Sequence, residues 1–262
     1  MKLPVYIADA FTTKLFGGNP AAICPLPEWL PDATMQNLAA ENNLSETAFI
    51  IEEDDHYRIR WFTPTTEVKL CGHATLASAH IFYSELSYPK SEIWFESLSG
   101  LLKVVKKSEN TYTLDFPANM PELPDQIPAG LFEGLRIEEA PVYRSAFDYM
   151  VVLPNQQAVE NLKPDFQLLG KVKARGVIAT AKGNDVDFIS RCFYPQSGVN
   201  EDPVTGSAHT VMIPYWAREL GKTHLRAIQL SKRKGYLECE LKNDRVLMSG
   251  NVVTYLKGEY EI

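Results

Sequence analysis

Three short segments of this 262-residue chain recur in the same order about half the chain length later. Each pair shares a glycine, or an arginine and a phenylalanine, at matching positions. A single match of this kind arises by chance, but three in order at nearly one spacing indicate a duplicated domain. The paired segments are Arg60–Pro64 with Arg191–Pro195, Gly72–Ala74 with Gly206–Ala208, and Ser97–Leu102 with Lys232–Leu237.

The segment Leu70–His80 predicts the central element of the first copy. It turns on Gly72 and continues through small and apolar residues, which is typical of a helix that is buried on all sides. The first N–H groups of a helix have no partner within it, so they can bind an anion. We therefore expect a buried helix with an anion-binding turn at its start, repeated at Gly206.

Each half also contains several alternating or β-branched segments and one amphipathic helix, the first at about 31–42. The sequence predicts an α+β protein of two pseudo-symmetric domains. In each, a mostly antiparallel sheet is rolled around the central helix. The proline-rich stretch 117–128 separates domains at 1–117 and 118–262, although the strand at 252–260 could return to the first domain.

Composition excludes several other classes of protein. The net charge of −7 disfavours nucleic acid as a partner, and no apolar run approaches the ~20 residues of a membrane span. The chain starts as a strand without a signal-peptide core. Four cysteines without C-x-x-C spacing favour neither a metal site nor a disulfide framework, so we expect a reduced, cytoplasmic protein.

Four motifs, spread over nearly the whole chain, resemble those of the phenazine-biosynthesis PhzF-like family. The resemblance implies the diaminopimelate-epimerase-like fold, with the active site between two similar domains. It also implies cofactor-independent isomerisation, a homodimer, and a small carboxylate as the substrate. The motifs are Gly18–Ala22, Ser45–Phe49, Leu70–Thr75 and Glu201–Ala208.

By residue matching, the resemblance assigns Glu46 as the catalytic acid/base. It assigns three further catalytic residues and three substrate-binding residues, and two of the substrate-binding residues are the glycines at the helix starts. No metal or other cofactor is implied. The catalytic residues are Glu46, His73, Asp202 and Ser207, and the substrate-binding residues are Asn19, Gly72 and Gly206.

The residues themselves permit more ordinary roles. Glu46 could be a solvated carboxylate at a strand end, although its apolar neighbours favour a raised pKa that suits a proton carrier. His73 could be a structural core histidine, and the helix start favours its neutral ring. Asp202 could only begin a turn, and Ser207 could only cap a helix.

Cys71 allows a different chemistry. Racemases of related fold use two facing cysteines, each just before such a glycine turn, but here the second position is Thr205. A threonine hydroxyl is too weak an acid to replace a thiol. A two-thiol racemase is therefore disfavoured, while a one-thiol dehydratase or racemase remains open, and so does an inert, buried Cys71.

These observations lead to three hypotheses. The first is an isomerase that moves a proton between carbon atoms of a small carboxylated, amino-bearing substrate in an interdomain cleft. The second is a one-thiol racemase or dehydratase of a small amino or imino acid, which uses Cys71 and Thr205. The third is a binding or scaffold protein that retains the fold without catalysis, which does not explain why buried polar residues persist.

Overall fold

The computed structural model describes residues 1–53 and 56–262. The chain divides into two compact units, unit 1 (1–116 and 248–262) and unit 2 (117–247). Sixteen strands and six α-helices lie in the described residues. The strands are β1 Lys2–Ala10, β2 Asn19–Leu26, β3 Glu46–Glu53, β4 His56–Phe62, β5 Glu67–Val68, β6 Glu92–Ser97, β7 Gly100–Lys106, β8 Thr111–Pro117, β9 Val142–Arg144, β10 Asp148–Val152, β11 Gly176–Lys182, β12 Phe188–Tyr194, β13 Val199–Asp202, β14 His224–Gln229, β15 Gly235–Lys242 and β16 Arg245–Glu261. The helices are α1 Asp32–Asn42, α2 Gly72–Ser84, α3 Leu131–Leu135, α4 Gln156–Glu160, α5 Phe166–Leu169 and α6 Gly206–Leu220.

Unit 1 is a closed barrel of eight strands. Its order is β1-β2-β3-β4-β6-β7-β8-β16, and β16 pairs again with β1 to close the ring. In that last pairing Lys2 lies opposite Glu261 and Ala10 opposite Val252. Most neighbours are antiparallel, but β2 with β3 and β4 with β6 are parallel. The C-terminal segment is therefore part of unit 1.

Helix α2 is buried along nearly its whole length, from Gly72 to Tyr83. Two of its hydroxyls are satisfied within the helix. Thr75 Oγ1 donates to the Cys71 carbonyl at 2.5 Å, and Ser78 Oγ donates to the Ala74 carbonyl at 2.7 Å. Such back-bonding lets polar side chains lie in an apolar interior without a desolvation penalty. The predicted buried helix is confirmed.

Unit 2 contains the strand order β15-β14-β12-β11-β10-β9, with β13 paired to β12. Its main helix, α6, is also buried and also begins at the predicted glycine, Gly206. Pro214 lies inside α6 and cannot donate to the Thr210 carbonyl one turn earlier. The Asn119 N–H donates to that carbonyl instead, at 3.0 Å.

The duplication is visible in matching side-chain contacts. In unit 1, Arg60 makes two bonds to the Glu67 carboxylate at 2.7 and 2.8 Å, with its guanidinium over the Phe62 ring. In unit 2, Arg191 makes two bonds to Glu201, both 2.8 Å, over the Phe193 ring. The α+β class with a rolled sheet is confirmed. No helix in the described residues is long and apolar enough to span a membrane.

Candidate active site

The turn between β1 and β2 places Asn19 in unit 1. Asp9 is buried, and its Oδ2 accepts the N–H of Phe16 at 2.8 Å. Gly18 has φ +58°, and a Cβ added there would lie 2.0 Å from the Ala10 carbonyl oxygen. Because of that contact, a residue with a Cβ does not fit at this position. The chain therefore enters β2 in one defined conformation, with Asn19 fully buried at its first position.

Two further elements begin at the same place. Strand β3 starts at Glu46 and runs parallel to β2, with Glu46 opposite Ala21. Cys71 is the extended residue before α2, and the helix begins at Gly72. Neighbouring parallel strands run in the same direction, so their first residues lie at the same end of the sheet. The first residues of β2 and β3 therefore lie together.

Glu46 and His73 come together at this end of the sheet. Oε2 of Glu46 lies 3.3 Å from Nε2 of His73, and the Glu46 side chain is 18% exposed while that of His73 is 4% exposed. Burial lowers the pKa of His73 to about 3, against a hydrogen bond to the Pro20 backbone that raises it. The imidazole is therefore neutral at neutral pH.

The other ring nitrogen, Nδ1, has two neighbours. Asn19 Nδ2 lies 3.1 Å away and Cys71 Sγ lies 3.5 Å away. The ring therefore lies with Nδ1 toward Asn19 and Cys71 and with Nε2 toward Glu46. Asn19 and Cys71 thus hold the orientation of the His73 ring.

Unit 2 has a related arrangement at the start of α6. Thr205 takes the place of Cys71 as the extended residue before the helix, and its Oγ1 donates to Asp202 Oδ2 at 2.5 Å. Asp202 ends β13 and is nearly buried. Ser207 is only partly buried, and its carbonyl accepts from Thr210 Oγ1 at 2.7 Å.

Gln229 in β14 fixes this turn and was not singled out from the sequence. Its Nε2 donates to the Asp202 carbonyl at 2.7 Å, and its Oε1 accepts the Thr205 N–H at 2.9 Å. Ser231 Oγ also donates to the Pro203 carbonyl at 2.7 Å. These partners lie more than twenty residues later, at the end of β14 and just after it, so no local sequence signal could identify them.

The structure therefore groups the predicted site residues within each unit. Unit 1 brings the acid/base candidate against the imidazole at one helix start, and unit 2 places the aspartate, glycine and serine around the other. The unit 1 group is Asn19, Glu46, Gly72 and His73, and the unit 2 group is Asp202, Gly206 and Ser207.

The other candidate residues have structural surroundings. All four cysteines are buried free thiols, and burial raises the pKa of Cys24 to about 12. His80 contacts Tyr112 and Thr254 through its two ring nitrogens, at 3.1 and 2.9 Å. His80 is therefore a core residue with a partner at each ring nitrogen.

Comparisons with known proteins agree with this architecture. The family model for phenazine biosynthesis-like proteins (PhzC-PhzF) matches residues 8–258. A protein of Pseudomonas aeruginosa named as an uncharacterised isomerase is 48% identical over 258 residues, which cover 98% of each chain. The crystal structure of a PhzF-family protein from Enterococcus faecalis has 45% identity and a TM-score of 0.95, and the match covers 100% of both chains.

A more distant structure shares the fold alone. It is a hydroxyproline epimerase from Agrobacterium vitis with bound trans-4-hydroxy-L-proline, at 10% identity and a TM-score of 0.68. The match covers 98% of this chain and 92% of that one. The family model and the full-length relatives show that the chain belongs to the family of phenazine biosynthesis-like PhzC/PhzF proteins and is an isomerase.

Proposed function

We propose that this isomerase moves a proton between carbon atoms of a small carboxylated, amino-bearing substrate, without a bound cofactor, and that Glu46 carries the proton. The observation that carries the proposal is the 3.3 Å approach of Glu46 Oε2 to His73 Nε2 at the start of a buried helix. A proton carrier needs a carboxyl group that substrate can reach and that water does not fully solvate.

The surroundings of Glu46 meet both needs. Its side chain is 18% exposed, and the next four residues of β3 are buried apolar or hydroxyl side chains. The group is thus open on one side and enclosed on the other. A carboxyl in such a setting can take a proton from one carbon and return it to another.

His73 supports Glu46 as a neutral neighbour. Its ring stays uncharged because it is buried, and its Nε2 lies 3.3 Å from Glu46 Oε2. Asn19 holds the ring from the opposite side. We propose that His73 orients Glu46 and donates to the substrate, while Asn19 acts by positioning the imidazole.

The helix starts provide sites for the substrate's carboxylate. The N–H groups of Gly72 and His73 begin α2, and those of Gly206 and Ser207 begin α6. Neither cap residue, Cys71 or Thr205, bonds these N–H groups with its side chain. We propose that they bind an anionic group, and that Asp202 binds a substrate ammonium or hydroxyl.

A screen in heavy water tests this function. Small carboxylic acids are incubated with the protein in D2O, and deuterium at carbon is detected by NMR or mass spectrometry. We expect one compound class to exchange a carbon-bound proton or to isomerise. Exchange that persists unchanged in Glu46→Gln would assign the chemistry to another residue.

A second candidate uses the Cys71 thiol, since Sγ lies 3.5 Å from the His73 ring and the fold is shared with a hydroxyproline epimerase. Against it, Asn19 Nδ2 also contacts Nδ1, at 3.1 Å, and Thr205 Oγ1 donates to Asp202 at the second position. Alkylation of Cys71 would abolish thiol chemistry. The Cys71→Ala variant retains activity if Glu46 is the proton carrier and loses it if the thiol is.

A further inference from the structure

We propose that Glu46, Cys71 and His73 also form a binding site for a thiophilic divalent cation such as Zn²⁺, and that this cation inhibits the enzyme. The inhibition rests on the proposed role of Glu46, because a metal-bound carboxylate cannot carry a proton. The binding itself does not depend on that role and can be measured without a substrate.

The geometry brings three different donor types together. One ligand atom from each of Glu46, Cys71 and His73 can be chosen so that all three lie within 4.8 Å of one another. The closest approaches are 3.5 Å from Cys71 Sγ to Nδ1 and 3.3 Å from Glu46 Oε2 to Nε2. Bonds of 2.0–2.3 Å around tetrahedral zinc place ligand atoms about 3.3–3.8 Å apart.

Only one ring nitrogen can bind a given ion, so the side chains must move slightly inward, and an ion at Nδ1 also displaces Asn19 Nδ2, which lies 3.1 Å away. Cys71 and Glu46 can each do so by rotation about their own side-chain bonds, because neither movement displaces the backbone of α2 or β3. Three protein ligands leave a fourth coordination position, and Glu46, which is 18% exposed, gives the site access to solvent. Zinc sites with three protein ligands keep that position for water or another small ligand.

Charge also favours the ion. A thiolate, a carboxylate and a neutral imidazole together carry two negative charges, which Zn²⁺ cancels. Binding releases one proton, from the Cys71 thiol to solvent, and no electrons move. Cys71 lies at the N-terminus of α2, where the helix dipole stabilises a thiolate. A buried site that is neutral overall avoids the cost of an uncompensated charge.

The other candidate groups are weaker. Glu53, His56 and Glu96 also lie within 4.8 Å of one another, but they offer no sulfur. Arg58 Nε lies 3.4 Å from Glu53 and 3.6 Å from Glu96, so a cation there must compete with a guanidinium. Among the described residues Cys24 belongs to no such group, and its Sγ donates to Tyr260 Oη at 3.5 Å. Cys24 and His56 therefore serve as control positions.

Cobalt substitution tests the site directly. The reduced, metal-free protein is titrated with Co²⁺, which binds zinc ligands and reports a thiolate ligand through a near-ultraviolet charge-transfer band. We expect one equivalent to bind with that band and Zn²⁺ to displace it. The band should be lost in Cys71→Ala and retained in Cys24→Ala and His56→Ala, while Glu46→Gln should weaken Co²⁺ binding by about tenfold or more.

Three results would overturn the site: no charge-transfer band in the wild-type protein, a band that survives in Cys71→Ala, or a band that disappears in His56→Ala. Circular dichroism checks that Cys71→Ala folds, and the partly exposed Glu46→Gln provides a second, milder variant. Failure of the cobalt titration leaves proton exchange by the wild type untouched. Failure of the exchange screen likewise leaves the cobalt result standing, so the two proposals are separable.

Discussion

Glu46 Oε2 lies 3.3 Å from His73 Nε2, where strand β3 and helix α2 begin in unit 1. The two residues are 27 positions apart in the sequence and meet because both elements start at one end of the barrel. Burial keeps the imidazole neutral, so the carboxylate has an uncharged ring and not a cation as its neighbour. This relationship is the physical basis of the proposed proton transfer.

Gly18 should be far more sensitive to substitution than Gly100. Both have positive φ, +58° and +93°, so alanine is strained at either position. Only at Gly18 would the new Cβ meet another atom, the Ala10 carbonyl oxygen at 2.0 Å. We expect Gly100→Ala to cost about 1–2 kcal/mol of unfolding free energy and Gly18→Ala at least twice that.

Urea unfolding of both variants measures the difference. Equal losses would show that the turn before Asn19 relaxes freely. In that case the turn does not fix the position of the Asn19 side chain beside His73.

Gln229 should stabilise unit 2 through its buried hydrogen bonds. Gln229→Met keeps the volume but leaves the Asp202 carbonyl and the Thr205 N–H without this partner. Each buried group left unsatisfied costs about 1–3 kcal/mol, so we expect a loss of about 2–4 kcal/mol in unfolding free energy.

The matched control is Gln167→Met, on the exposed side of α5, which should change stability by less than about 0.5 kcal/mol. Denaturant unfolding followed by circular dichroism gives both values. A loss at Gln229 no greater than that at Gln167 would mean that the Asp202–Thr205 turn holds without the amide.

His209 should make stability depend on pH. Burial lowers its pKa to about 4, while Nδ1 donates to the Thr205 carbonyl at 2.8 Å. Between about pH 6.5 and 4 the unfolded chain binds a proton at this residue that the folded chain does not. The unfolding free energy therefore falls as pH decreases through that window, by up to about 3 kcal/mol from this residue.

Replacement of His209 by Gln removes the titrating group and keeps a side-chain donor. We expect the variant to lose less stability than the wild type between pH 7 and pH 4.5. Urea titrations at several pH values compare the two slopes, and equal slopes would show that His209 is not the source of the dependence.

Much of the fold could be predicted because its main elements depend on local sequence patterns, and these patterns occur in both halves of the chain. The repeat placed Gly72 and Gly206 at the starts of buried helices, and both helices begin there. Arginine and phenylalanine recur two residues apart in the two copies, at Arg60 and Arg191, and each arginine has the same bidentate contact. The sequence also predicted Glu46 at the start of a strand, and β3 begins at this residue.

The supporting contacts could not be predicted. The Asp9 carboxylate accepts the N–H of Phe16 across a loop, and Gln229 donates to the Asp202 carbonyl from a strand distant in sequence. Such pairs depend on the register of the strands and on which strands become neighbours. Neither property can be recognised from the periodicity of the sequence. The proximity of the Cys71 thiol to Nδ1 of His73 likewise depends on side-chain rotamers.

The central claim is that Glu46 carries the proton, and the most direct test is the rate of carbon-bound hydrogen exchange in D2O. Once an exchanging substrate is found, Glu46→Gln is compared with Glu52→Gln, an exposed carboxylate on the same strand. General acid–base groups contribute about 10²–10⁴-fold, so we predict that Glu46→Gln slows exchange by about that factor while Glu52→Gln exchanges at the wild-type rate. Exchange by a folded Glu46→Gln at the wild-type rate would contradict the account.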